Sequence, residues 1–234
     1  MSTTPQRDRG ALAAADEDPR SVIFLRPIGS PLSLGMSGLA IASLVQSGYD
    51  LRWLAKSESI KVGLVLIAVP FFLQFVSSIL SYLARDGTTG AATGVLSASW
   101  LAIALIDIAG RGHRSGALGL MLFAAGAMLA LSAITMFPSK PLPAATFCVV
   151  GTRFALSGVY ELGAPHVWAY AAGIAGLAVV AIASYCVLAF DLEGMQHRAV
   201  LPTLRRGRAL DAVAGSPAAT IDDVVHETGV RQMT

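Results

Sequence analysis

Residues 167–190 read VWAYAAGIAGLAVVAIASYCVLAF, from Val167 to Phe190, 24 residues with neither a charge nor a proline. As a helix at 1.5 Å per residue this run is roughly 36 Å long, enough to cross a hydrocarbon core of about 30 Å with some tilt. Small residues recur along it at four-residue spacing, Ala169 with Gly173 and Ala172 with Gly176. Such a stripe lets helix backbones approach closely in lipid, where packing rather than hydrophobicity drives association. Beyond it the chain turns polar (DLEGMQHR) and reaches Val200-Leu201-Pro202.

Composition extends that reading to the whole chain. Of 234 residues, 54% are hydrophobic and 14% charged, and the mean hydropathy is +0.63. Soluble domains carry about 25% charged residues, so the deficit points to an integral membrane protein. Five further uncharged or nearly uncharged runs predict spans at about Pro31 to Gly48, Val62 to Leu83, Ala91 to Ile108, Gly116 to Phe137 and Ala144 to Leu162. Pro70 lies inside the second and should kink it. Gln74 and Ser77, Ser78 and Ser81 give that span a polar stripe; at such depth polar side chains face other helices or a cavity. ARDGTTG (84–90) reads as a tight turn and PSKPLP (138–143) as a proline-bounded loop.

The expected organisation is therefore an all-α, six-transmembrane-helix bundle over 28–203. A disordered cytoplasmic tail precedes it at 1–27, and a polar cytoplasmic C-terminal tail follows at 204–234 with a short helix around 220–227. The first twenty residues are polar and lack the apolar core of a signal peptide. Six spans put both termini on one side. That side holds Arg7, Arg9, Arg20, Arg26, Arg85, Lys140, Arg198, Arg205, Arg206, Arg208 and Arg231; the other holds Arg52, Lys56, Lys61, Arg111 and Arg114. The excess places both termini in the cytoplasm and the chain, multi-pass, in the cytoplasmic membrane. A net charge of +2 drawn mostly from tail arginines speaks to orientation and not to a nucleic-acid partner.

Arg153 is the seventeenth basic residue and the one inside a span, in TFCVVGTRFALSGVY. A central arginine opposes insertion by about 2.5–3.5 kcal/mol even on the lower scales, so it needs a cavity, a carboxylate or the protein interior. Two readings stand open: an anion-binding or charge-selecting residue lining a pore, or an ion pair, for example with Asp107, or snorkelling to an interface. Asp50, Glu58, Asp86, Asp191 and Glu193 fall at helix ends or in loops and read as solvated charges or caps. Gly35-Met36-Ser37-Gly38 resembles the GxSG of intramembrane serine proteases, but that chemistry needs a histidine beside the serine. His113, His166, His197 and His226 all fall in loops or tails, and small-residue packing is the simpler reading. Cys148 and Cys186 sit in predicted spans as packing residues. No Walker A, HExxH, EF-hand or CxxC pattern occurs, so no catalytic residue, metal or cofactor is indicated and the chain does not read as an enzyme.

The order of several short motifs resembles the acetate uptake transporter family, six-helix bacterial acetate/succinate–proton symporters. SPLSLGMSGLAIASLVQSGY (30–49) is similar to the family's N-P-x-P-L-G-L start and Gly-Tyr exit. Gln74, ARDGTTG and the helix ending at Trp100 resemble the segment around K-G-N-T-F-G, and Leu118-Gly119 has a counterpart. AGIAGLAVVAIASY followed by Val200-Leu201-Pro202 resembles the A-G-x-x-G-L helix with its terminal V-L-P. The likeness covers about residues 28 to 204. It implies transport of small organic anions, acetate-like monocarboxylates and succinate, proton-coupled or channel-like, by a homo-hexamer with one pore per protomer in the lipid bilayer. The family narrows its pore with a Phe, a Tyr and a Leu, which on these motifs fall at Ser37, Ser97 and Val150. Two serines in place of aromatics would widen and wet the path. The substrate path expected from the resemblance is Ser33, Ser37, Gln74, Ser97, Val150 and Arg153, with the serines and Gln74 donating to the solute carboxylate and Arg153 supplying positive potential. The eroded motifs and the long charged tail also allow a different class, a sensory or scaffold membrane protein that keeps the fold without transport.

Overall fold

The computed structural model describes residues 29–196, 198–207 and 210. Of the tails expected at 1–27 and 204–234, all but residues 204–207 and 210 lie outside the described residues, as does the short helix expected around 220–227. Within them the chain is all-helical, with no strand. The elements are α1 (Pro31–Asp50), α2 (Lys56–Leu83), α3 (Gly87–Gly110), α4 (Gly116–Met136), α5 (Pro141–Glu161) and α6 (Val167–Gln196). Five of them, α2 to α6, are long and apolar enough to cross a membrane. The sixth, α1, matches α4 and α5 in length to within a residue but carries Ser33, Ser37, Ser43, Gln46, Ser47 and Asp50.

Helices outrun the apolar runs that predicted them because a polar or charged residue at a helix end costs the helix nothing once it reaches the interface. Thus α3 begins at Gly87, inside the expected turn, because Asp86 caps it: its carboxylate accepts from Thr89 N–H at 3.3 Å. The stretch read as a loop at 138–143 hands Pro141 to the first turn of α5, where a missing N–H is harmless. The expected disturbance at Pro70 takes the form of a π-turn over Ile67–Phe71.

Each helix packs on its neighbours in sequence, and α1 packs along α6, so the six close into a ring. Turns 84–86 and 137–140 lie at one end, joined by Lys140 Nζ donating to Asp86 Oδ2. Residues 198–207 fold back over this end. Tyr185 Oη donates to the Pro202 carbonyl at 3.0 Å, Arg205 pairs with Glu193 at 3.0 Å, and Arg206 N–H reaches the Ser139 carbonyl. Loops 51–55, 111–115 and 162–166 form the opposite, far end, where Arg52 Nε donates to His166 Nε2 at 2.8 Å and Ser115 N–H to Glu161 Oε2 at 2.7 Å. Leu120, Ile134, Ile174 and Leu188 point outward, each more than half exposed, the pattern of a surface solvated by lipid.

The tightest seam is α4 against α5. A Cβ on Gly126 would meet the Gly151 carbonyl oxygen at 2.9 Å and the converse is equally true; one level away Gly119 and Gly158 are related in the same fashion. Backbones in such contact gain dispersion along their whole length. The sequence stripe on α6 faces α1, with Gly173 against Leu51 and Asp50 and Gly176 against Ser47.

Candidate functional site

A cavity of about 220 Å³ opens among the helix ends at the far side. Its rim includes Arg52, Lys56, His113 and His166, and its depth is lined by Asp50, Asp107, Arg153 and Glu161. These come from four helices and three loops, which explains why no linear motif announces them. Arg153 rises from α5, is 1% exposed, and donates from Nη2 to Asp50 Oδ2 at 3.1 Å. Gln46, one turn back on α1, donates from Nε2 to Asp50 Oδ1 at 3.4 Å. Because α6 stands between α1 and α5 in the ring, the guanidinium has to pass it. Gly176 lets it through: a Cβ there would lie 2.6 Å from Arg153 Nε and on top of Ser47 Oγ.

Deeper than the cavity the ring is filled. Trp100, one turn below Ile103 on α3, meets Phe154 of α5 edge-on with centroids 5.4 Å apart, and the Arg153 guanidinium lies 5.5 Å from the Trp100 ring centroid. Trp100, Phe154, Phe147 and Val150 are wholly buried. Edge-to-face pairing and a cation over an indole face are each worth about 0.5–2 kcal/mol, so this plug is held as well as packed.

Of the residues expected to line a path, Arg153 alone lines the cavity. The others are placed apart from it. Ser33 Oγ donates to Asp191 Oδ1 at 2.6 Å near the terminal end. Ser37 Oγ donates to the Ser33 carbonyl at 3.0 Å, an internal helix bond, while His113 and His166 stand at the opposite end. Gln74 Nε2 donates to the Gly35 carbonyl at 3.2 Å. Ser97 Oγ donates at 3.1 Å to the carbonyl of Phe71, the last residue of the π-turn, and Val150 is buried. Ser97 and Val150 are thus enclosed in the described state, with Trp100 and Phe154 supplying bulk nearby. Asp107, considered as a partner of Arg153, also lines the cavity, but the pair is made with Asp50. Asp50 escaped the sequence reading because a carboxylate on the last residue of a helix is ordinarily solvated. The signal available was the unpaired charge on Arg153, which demands an acid somewhere near its own depth.

The fold and the cavity define the class: an all-helical membrane bundle whose ring of helices encloses a charged pocket open at one end. Among solved structures it is similar to the bacterial acetate channel SatP, with a TM-score of 0.67 and 19% identity over 75% of this chain and 99% of that one. At that identity the likeness is one of fold, and the acetate-transporter resemblance read from the motifs holds at that level. No family model and no curated protein sequence matches the chain.

Proposed function

We propose that the chain carries small organic carboxylates, acetate-like monocarboxylates first and succinate as a further candidate, across the cytoplasmic membrane by proton-coupled or channel-like passage. The observation behind this reading is Arg153, a buried cation at the depth of a cavity in a fold shared with an acetate channel. A carboxylate about 4 Å from a guanidinium gains ~4 kcal/mol at an effective dielectric of 20, and Asp50 already marks the geometry such a group would adopt. The charged rim would draw solute in, and the carboxylates beside Arg153 are natural stations for a coupled proton. In the same reading all six helices span, both termini are cytoplasmic and the protein assembles as a homo-hexamer.

Purified protein in liposomes, assayed for labelled acetate flux with and without a pH gradient, tests this. Arg153→Gln should lower uptake at least about tenfold, the worth of one lost charged hydrogen bond. Equal flux in the two proteins at equal expression would sink the reading. The buried Trp100–Phe154 plug favours a second one, the sensory or scaffold protein without transport. Trp100→Ala separates the two: if the plug is a gate the variant passes acetate faster, and if the ring is only scaffold it gains no flux. The same variant should unfold more easily by about 3–5 kcal/mol.

A further inference from the structure

The cavity offers charges of both signs where a bare anion uses only one. Asp107 lines it, is 9% exposed, and has its Oδ2 buried without a hydrogen-bond partner among the described residues; Gln46 Oε1 is in the same condition. Glu161 is engaged, its carboxylate accepting from Ser115 N–H at 2.7 Å, and Asp50 is engaged by Arg153. Asp107 is therefore the acid with a buried oxygen that lacks a donor among the described residues. On the donor side the cavity has Arg52 and Lys56 at its rim and, at its depth, Arg153, whose Nε is likewise unpartnered.

A plain carboxylate brings acceptors only. It answers Arg153, adds a negative charge beside Asp50 and Asp107, and leaves both unpartnered acceptors unmet. Buried acceptors without donors carry their full desolvation cost, and like charges at short range oppose one another. A molecule with a carboxylate and an ammonium a few atoms apart answers both ends and adds no net charge. Room is no obstacle: at ~30 Å³ per water, the cavity of about 220 Å³ exceeds the size of such a solute. We propose that this cavity binds small amino acids, the carboxylate exchanging with Asp50 on Arg153 and the ammonium resting on Asp107 with Gln46 as its second acceptor. The proposal rests on the carboxylate reading above and extends the cargo beyond bare acids.

Proteoliposomes of wild type, Asp107→Asn and Arg153→Gln, each given labelled acetate or labelled glycine, test it. In wild type, glycine should enter, and excess unlabelled glycine should suppress acetate uptake. Asp107→Asn should lower the ratio of glycine to acetate uptake, and the competition of glycine against acetate, about tenfold or more, the loss of one charged hydrogen bond. Arg153→Gln should lower both. A thermal shift of the purified wild-type protein by glycine, absent in Asp107→Asn, supplies a second readout that does not depend on flux. If glycine neither enters nor competes, or if Asp107→Asn lowers acetate and glycine equally, the amino-acid site is overturned and the carboxylate reading stands. If neither solute enters with wild-type protein, both fall.

Discussion

Gly176 has α1 on one side and α5 on the other, and it is the absence of a side chain there that joins them. With alanine at 176 the new methyl group would press on Arg153 Nε and Ser47 Oγ together, and a guanidinium that retreats draws away from Asp50. Gly176→Ala should therefore destabilise the protein by about 1–3 kcal/mol, seen as a lower midpoint of thermal unfolding in detergent, and should depress acetate flux in parallel with Arg153→Gln. At the terminal end a different pair sets a pH dependence. Burial pushes the Asp86 carboxyl up, but the neighbouring Lys140 ammonium and the hydrogen bonds from Thr89 outweigh it, so the group sits below the usual carboxylate range. A depressed carboxylate contributes stability that is fully present above its unfolded value, 3.8, and is lost as pH falls through the folded one. Lys140→Met should thus unfold below wild type by a constant margin from neutral pH down to about 5, with the margin closing below ~4; a margin that stays open in acid would contradict the pairing. At this scale the sequence revealed one half of each relation. Arg153 was legible because a charge inside an apolar run is conspicuous. Asp107 was legible as a neighbour of that charge and Gly176 as a packing residue, but that Asp50 takes the pair and that Gly176 stands between two helices depends on which helices the ring brings side by side.

Among elements, the α4–α5 seam makes the strongest claim. Gly126→Ala places a methyl carbon 2.9 Å from the Gly151 carbonyl oxygen, a contact that only backbone movement can relieve. The expected loss is about 1–3 kcal/mol, read from detergent unfolding. Gly194→Ala is the matched control: it lies inside α6 with no atom within 4 Å of the added carbon, and alanine there should stabilise by about 0.5–1 kcal/mol. Glycine replacement is thus expected to change sign between two helices of one molecule. Where the helices lie was legible from uncharged runs and from Pro31 and Pro70; their ends were not, since capping by Asp86 and the first-turn tolerance of Pro141 extend helices beyond the apolar stretch. That consecutive helices pack on one another follows from their order, but the closure of α1 on α6 and the closeness of α4 to α5 do not. Glycine spacing in 119–158 marks surfaces able to meet closely and does not say which surface meets which.

For the whole molecule the proposed topology has a direct test. In a chain whose own cysteines are alanine, Trp53→Cys lies in a far-end loop and Phe137→Cys in a terminal-end turn, and both native side chains are more than half exposed. A membrane-impermeant thiol reagent added to intact cells should label the first and reach the second only after permeabilisation. Labelling in the reverse order would invert the orientation argued from the arginines.

The cavity and its covering are on opposite faces. The far end is open to a charged pocket, while the terminal end lies under the fold-back of 198–207, with Thr203 buried against the bundle. Inhibition should accordingly be sided. A blocker too polar to cross the bilayer, added outside proteoliposomes into which the protein has inserted at random, should silence only the copies whose far ends face it. The flux that survives a saturating dose would then measure insertion bias, and it should disappear when the same compound is also trapped inside.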